Sequence, residues 1–320
     1  MKTCPCLCDS TVIFKPIFVV YQKKMKKSYL ILLTVLFTFS CSQKKQKNEI
    51  VSKPDAKTLM EESMQRFSTA WNQGNSIEIS KEFTKDAVRI ISNPSSPIKG
   101  QEAILKVFES TFSDGSDFKN SHIEVTVMET RSVSSDIYLG AGKFKILNKE
   151  NEILEQGKWG NVFKYNNGQI KFLMESAHRK SKETQLSEVE VVFEKSISSK
   201  EPHFKKIEES ISNYISNYNS KNSEGISMLF IDDAIQNVNS KEGIILGRQQ
   251  IKETESYSDG GELNANILGY QYLENNIAIA YGKWTSKAED NSIVSGQWGN
   301  LFKIEGEKAL LIMESAGLLQ

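Results

Sequence analysis

Residues 157–165 read GKWGNVFKY and residues 296–304 read GQWGNLFKI. Both alternate large and small groups with the period of a β-strand, so that Trp159, Asn161 and Phe163 share one strand face, and Trp298, Asn300 and Phe302 share its copy. The likeness continues through Met174-Glu175-Ser176-Ala177 and Met313-Glu314-Ser315-Ala316, giving 10 identities in 21 positions at an offset of 139. Upstream, residues 61–104 match 208–251 without a gap at an offset of 147, with 14 identities in 44 positions, among them Asn72/Asn219, Phe83/Phe230, Asp86/Asp233, Ala87/Ala234 and Gly100/Gly247. The second copy has therefore lost eight residues between the two blocks. A repeat this long means two domains rather than a solenoid of short units.

Each copy has the same coarse layout. Met60, Met64, Phe67 and Trp71 are spaced as one face of a helix, and Ile207, Ile211, Tyr214 and Tyr218 repeat that stripe. Asn72-Gln73-Gly74 is a helix stop. A short second helix is expected over 75–83, capped by Asn75 or Ser76, followed by a turn at Asp86 into a strand. A third helix opens at Gly100 and runs to about Phe112. Then the period changes. Ile123, Val125 and Val127 alternate with polar residues, and strands are expected over 138–146, 157–165 and 170–177, the last two joined by the hairpin signal Asn166-Asn167-Gly168. Ser113-Asp114-Gly115 and Ser258-Asp259-Gly260 read as twin turns. This order implies an α+β fold with helices on one face of a curved antiparallel sheet.

These motifs, AWNQGN, EFTKDAVRI, IKGQEAI and GKWGNVFKY, resemble the SnoaL-like branch of the nuclear transport factor 2-like superfamily. The likeness covers nearly all of the first copy. In the second, Tyr218 stands for Trp71 and Gln249-Gln250 for Glu102-Ala103. The resemblance implies two tandem cone-shaped domains, each with about three helices packed on a strongly curved antiparallel sheet around an apolar pocket. Domain 1 is expected over 56–178, a linker over 179–203 with a short strand at Val189, Val191 and Phe193, and domain 2 over 204–317. Many such domains pair through the outer face of the sheet, so the two copies are expected to pair within one chain. The superfamily holds isomerases, dehydratases, hydrolases and many non-enzymes, so function must come from the site.

Residues 25–41 read MKKSYLILLTVLFTFSC: two lysines, an apolar run too short to span a bilayer, and a small residue before Cys41. The arrangement resembles the bacterial lipoprotein signal, with Thr38 and Phe39 where that signal usually has Leu and a small residue. It implies a signal peptide over 25–40 and lipid on Cys41; the alternative is an ordinary secretory signal. Residues 1–24 read as an extension from a misplaced start, with Met25 as the true initiator, or else as a genuine extension with a metal-binding Cys-x-Cys-x-Cys tract. Residues 41–55 read as a flexible tether. The expected location is the bacterial cell envelope, lipid-anchored at the outer membrane facing the periplasm, with secretion as the alternative.

Charged residues make up 25% of the 320 and hydrophobic residues 39%, ordinary globular values. The 40 basic and 40 acidic residues leave no net field for nucleic acid. Loss of residues 1–40, which carry six lysines and one aspartate, leaves 34 basic and 39 acidic residues, a net charge of −5. The cysteines are Cys4, Cys6, Cys8 and Cys41, so the remaining 279 residues hold no disulfide and no thiolate metal site. His122, His178 and His203 are the three histidines, and none falls on another under the repeat. No zinc, P-loop or nucleophile-elbow spacing is present, and no metal or cofactor is expected.

The candidate ligand-binding residues are Trp71, Arg89, Trp159, Asn161, Phe163 and Glu175 in the first copy, and Tyr218, Trp298, Asn300, Phe302 and Glu314 in the second. The aromatic groups read as pocket wall or as packing, in the sheet core or between the copies. Glu175 and Glu314 read either as carboxylates raised toward general-base use or, for Glu175, as partners of a strand lysine such as Lys143 or Lys164. Arg89 can reach into the cone, and its twin is Gln236, so the two pockets should differ. Asp86 and Asp233 are expected to cap their own turns. Three readings follow: a non-catalytic lipoprotein that binds a small apolar ligand or a protein partner; an isomerase-, dehydratase- or hydrolase-like enzyme using Glu175 or Arg89 in domain 1; and a structural pseudo-dimer.

Overall fold

The computed structural model describes residues 55–94, 96–180, 194–257, 262–287 and 292–319. The signal, Cys41, the tether to residue 54, the alternation at Val189, Val191 and Phe193, and the Ser258-Asp259-Gly260 turn lie outside them.

Helix α1 (Ala56–Asn72) starts where the Asp55 side chain accepts from the Thr58 amide at 2.9 Å, and it buries Met60, Met64, Phe67 and Trp71. Gly74 (φ 61°) ends it in the left-handed region that glycine tolerates best. Helix α2 (Ser76–Lys81) is capped by Asn75. Strand β1 (Phe83–Ile91), β2 (Ile98–Lys99), α3 (Gln101–Thr111), β3 (His122–Ser132), β4 (Ile137–Leu147), β5 (Ile153–Asn166) and β6 (Gln169–Arg179) complete domain 1. The β5–β6 turn has Asn167 and Gly168 both at positive φ, the backbone that a two-residue hairpin needs.

Domain 2 repeats the order. It runs through α4 (Pro202–Asn219), α5 (Ser223–Ser227), β7 (Phe230–Val238), β8 (Ile245–Leu246) and a shorter α6 (Arg248–Thr254). It continues with β9 (Glu262–Ala265), β10 (Gly269–Leu273), β11 (Ile277–Lys287), β12 (Ile293–Glu305) and β13 (Lys308–Leu318). Pro202 is the first residue of α4, where its missing amide costs nothing. Both β9 and β10 pair with β11, so they divide between them the place that β3 fills alone.

The sheet orders are β2-β1-β6-β5-β4-β3 and β10-β11-β12-β13-β7-β8, with β9 also on β11. The sheets are mixed rather than antiparallel: β1 runs parallel to β6, and β7 to β13. The chain leaves β1 through α3, and three antiparallel reversals then bring β6 back beside β1 in the same direction. Extra residues at Met128, Leu154 and Leu173 interrupt the ladders of domain 1 and bend them. Two other expectations are corrected. Asp86 lies inside β1 rather than in a turn, and its carboxylate accepts from Gln271 in domain 2 at 2.6 Å. Its twin Asp233 lies inside β7 and accepts from Arg131 in domain 1 at 3.0 Å.

Three apolar clusters result. One fills the space between α1–α3 and the inner face of the first sheet, and another does so in domain 2. The third joins the outer faces of the two sheets: Val88, Ile90, Leu139, Val162 and Met174 meet Ile235, Ile279, Leu301, Ile312 and Met313. Each such side chain contributes about 1.5–3 kcal/mol on leaving water. The faces approach so closely that a Cβ on Gly299 would lie 2.5 Å from the Ile90 side chain, and one on Gly317 would lie 2.3 Å from the His178 Cβ.

Candidate functional site

The inner face of β6 presents Glu175 and Ala177 to the cone of domain 1, while Met174 on the outer face enters the seam between the domains. Both faces of the strand are therefore buried. Glu175 accepts from Arg89 Nε at 2.6 Å, and both side chains are less than a tenth exposed. The Arg89 guanidinium also lies 4.4 Å from the Phe108 ring centroid. The expected partners Lys143 and Lys164 do not meet Glu175; the arginine one strand away takes that role because β1 and β6 are neighbours with Arg89 opposite Glu175 in register. The cavity left in this cone is about 210 Å³. Phe67, Trp71, Phe108 and Phe112 pack edge to face or stacked around one another and fill much of the rest.

Domain 2 places Glu314 at the same point of β13 opposite Gln236 instead of an arginine. Gln236 Nε2 donates to Glu314 at 2.8 Å, and the Tyr214 hydroxyl also hydrogen-bonds this carboxyl. Lys241 Nζ donates to Gln236 Oε1 at 2.8 Å and pairs with Glu255 at 3.2 Å, again with both side chains less than a tenth exposed. Burial pushes the Glu314 carboxyl up to about 7; the Gln236 hydrogen bond opposes the rise and the Glu255 carboxylate adds to it. Burial also raises the Tyr214 phenol well above its ordinary value, with Glu314 next in effect. The cavity here is about 380 Å³, lined by Ile211, Tyr218, Trp284 and Trp298 beside the polar group. Helix α6 stops at Thr254, a turn earlier than α3, and Tyr257 packs edge to face on Tyr218 as Phe112 does on Trp71.

The remaining candidates divide between wall and core. Trp159, Asn161 and Trp71 line the first cavity, and Trp298, Asn300 and Tyr218 line the second. Asn161 and Asn300 each spend the side-chain oxygen on a backbone amide of the next strand, Ser176 at 2.9 Å and Ser315 at 3.2 Å. Trp71 Nε1 donates to Ser121, and the indoles of Trp159 and Trp298 both donate to a β4 or β11 carbonyl at 3.2 Å. Phe163 and Phe302 are fully buried in the cone cores and line neither cavity. Arg89 also lines the first cavity, with its Nε on Glu175 and its guanidinium over Phe108.

Sequence reasoning missed Tyr214, Lys241 and Glu255. A signal existed in the repeat itself. Tyr214 stands where the first copy has Phe67, and Gln236 stands for Arg89, so a hydroxyl and a lost charge coincide in one cone.

Each cavity is also braced by the other domain. Lys158 Nζ in domain 1 donates to the carbonyls of Val238, Lys241 and Gly243 at 2.6, 2.7 and 3.0 Å, holding the loop that carries Lys241. Its twin Gln297 in domain 2 donates to the carbonyls of Ile91 and Pro94 at 2.7 and 2.9 Å, in the loop beside the first cavity.

The raised Glu314 has a measurable consequence. Between about pH 4.5 and 7 the folded chain keeps a proton that the unfolded chain has released. The stabilisation is complete below the unfolded value and is lost as the pH rises through the folded one, a change of about 3 kcal/mol. Urea midpoints of the parent chain should therefore fall across this window, and those of Glu314→Gln should fall much less.

No protein-family model matches this chain, and no curated protein matches it. Solved structures do. A domain of unknown function with a cystatin-like fold from Nostoc punctiforme PCC 73102 is 18% identical over 40% of this chain and 78% of its own, with a TM-score of 0.36. An NTF-2 like protein of unknown function from Shewanella oneidensis MR-1 is 11% identical over 38% and 98%, with a TM-score of 0.34. A ketosteroid isomerase-like protein from Erwinia carotovora atroseptica SCRI1043 is 14% identical over 39% and 96%, with a TM-score of 0.33.

Proposed function

We propose that this chain is an envelope-anchored binding protein whose second domain takes up a small, largely apolar molecule carrying one hydrogen-bonding group. The observation behind this is the 380 Å³ cavity of domain 2, whose wall is mostly apolar and carries the hydrogen-bonded Glu314 and Tyr214. Ligand sites usually occupy about 300–1,000 Å³. The 210 Å³ of domain 1 falls below that range, and its carboxylate is already paired. The ligand's polar group would meet Glu314, and its apolar body would lie against Trp284 and Trp298. Titration with 1-naphthol, read by quenching of tryptophan emission, should saturate. Filling the chamber with Ala265→Phe should abolish the response, while Val107→Phe in domain 1 leaves it unchanged. Quenching that survives Ala265→Phe overturns the assignment to domain 2.

The same carboxyl favours a second reading, proton transfer to or from the bound molecule. A group with a pKa near 7 is half ionised at neutral pH, where a general base works best. This moves the enzymatic reading from domain 1, where Arg89 ties up Glu175, to domain 2.

The address is part of the proposal. Lipid on Cys41 would hold the chain at the outer membrane facing the periplasm. Cells grown with labelled palmitate should yield a labelled protein, and Cys41→Ala should remove the label; an unlabelled parent chain defeats the anchor and leaves simple secretion.

A further inference from the structure

Residues 194–197 lie along the edge of domain 2. Glu194 accepts from Lys283 Nζ at 2.6 Å and from Ser96 at 3.2 Å, and its carbonyl accepts from Asn266 at 2.5 Å. The Ile197 amide donates to the Ile267 carbonyl at 2.8 Å, and the Ile267 amide donates to Ser196 at 3.2 Å. A largely exposed segment carrying a carboxylate thus lies along a groove between β11, the gap from β9 to β10, and the loop after β1 of the other domain.

The repeat generates a second groove of the same make on domain 1. Lys143 takes the place of Lys283, since Lys143 faces Lys158 in register as Lys283 faces Gln297. Thr126 takes the place of Asn266: its carbonyl meets the Cβ position of Gly142 at 1.9 Å, as the Asn266 carbonyl meets that of Gly282 at 1.8 Å. The loop 239–242 of domain 2 takes the place of the loop after β1. This groove is an open cavity of about 620 Å³, lined by five lysines and two glutamates. Lys145 and Lys180 stand where domain 2 has Thr285 and Leu319. Glu124 and Glu242 also line it, but no carboxylate among the described residues pairs with Lys143, Lys145 or Lys180.

We propose that the open groove on domain 1 docks an extended acidic peptide segment of a partner protein, with carboxylates at alternate positions meeting Lys143 and Lys145. Two features select this occupant. The twin groove already holds an extended segment through a lysine–carboxylate pair, and the open one adds positive charge. Lys143 and Lys145 are two residues apart on β4 and so point the same way; carboxylates two residues apart on a strand are spaced by the same about 6.6 Å.

A fluorescein-labelled Glu-Ser-Glu-Ile-Ser peptide titrated against the full chain, read by anisotropy, tests the proposal. Saturable binding is expected, weakened about tenfold or more by Lys143→Glu with Lys145→Glu, and likewise when Gln replaces both Glu of the peptide. Lys106→Glu, exposed on α3, should leave it unchanged. Lys143 and Lys145 are exposed, so the double variant should keep its near-ultraviolet circular dichroism; if it does not, Lys180→Glu gives the same comparison. Absence of saturable binding, equal binding of the Gln peptide, or equal binding by the lysine variants overturns the proposal. So does displacement by inorganic phosphate or a short RNA as readily as by unlabelled peptide, which would make the groove a general anion site.

Discussion

Arg89→Met is expected to destabilise the chain by about 3–5 kcal/mol at neutral pH, because it strands the Glu175 carboxylate in a closed cone without a counter-charge. Removing both partners should cost far less. Arg89→Met with Glu175→Leu replaces a buried pair by apolar side chains of similar size, a change that is often neutral or stabilising. Urea denaturation of the two variants at neutral pH checks both statements. A double variant as unstable as the single one would mean that Arg89 matters for its packing on Phe108 rather than for its charge. The twin substitution Gln236→Met should cost less than Arg89→Met, since Glu314 is already able to hold its own proton.

Leu139→Asp is expected to be the most damaging single change in the seam, with a loss of about 4 kcal/mol or more from burying an unpaired charge. Its signature is that a substitution in domain 1 weakens domain 2. The four tryptophans make this visible: Trp71 and Trp159 report on domain 1, and Trp284 and Trp298 on domain 2. In a chain with Trp71→Phe and Trp159→Phe, the emission of Trp284 and Trp298 should show a midpoint lowered by Leu139→Asp. Ile279→Asp should produce the converse effect in domain 1. A loss confined to the substituted domain would show that the outer faces are not one core.

The helices were legible because a four-residue apolar stripe ending in Asn-Gln-Gly admits one reading, as at Met60, Met64, Phe67 and Trp71. The parallel pairing of β1 with β6 was not, since no local period records which distant strand lies alongside. Glu175 was ambiguous for a related reason. Strand alternation assigns faces only when one side is wet, and here Met174 and Glu175 are both buried, one in the seam and one in the cone. Asp86 and Asp233 resembled turn caps because an acidic residue just past a helix usually is one; contacts from the opposite domain hold them instead. The polar group of domain 2 was spread over Tyr214, Gln236, Lys241, Glu255 and Glu314, which only the closed cone gathers. Comparing the two copies for changes of polarity would have found the first two.

The contact between His178 and Gly317 bears on pairing. The two positions are twins under the repeat, and they touch. Burial drops the His178 imidazole to about 3, so it sits there neutral, and Ser176 lies 3.0 Å from its Nε2. A symmetric pair of first domains would bring two histidines to this point, with β-carbons overlapping at 2.3 Å. Such a pair cannot form by this face. The histidine–glycine arrangement is open only to unlike halves, and joining the halves in one polypeptide guarantees that each meets its complement.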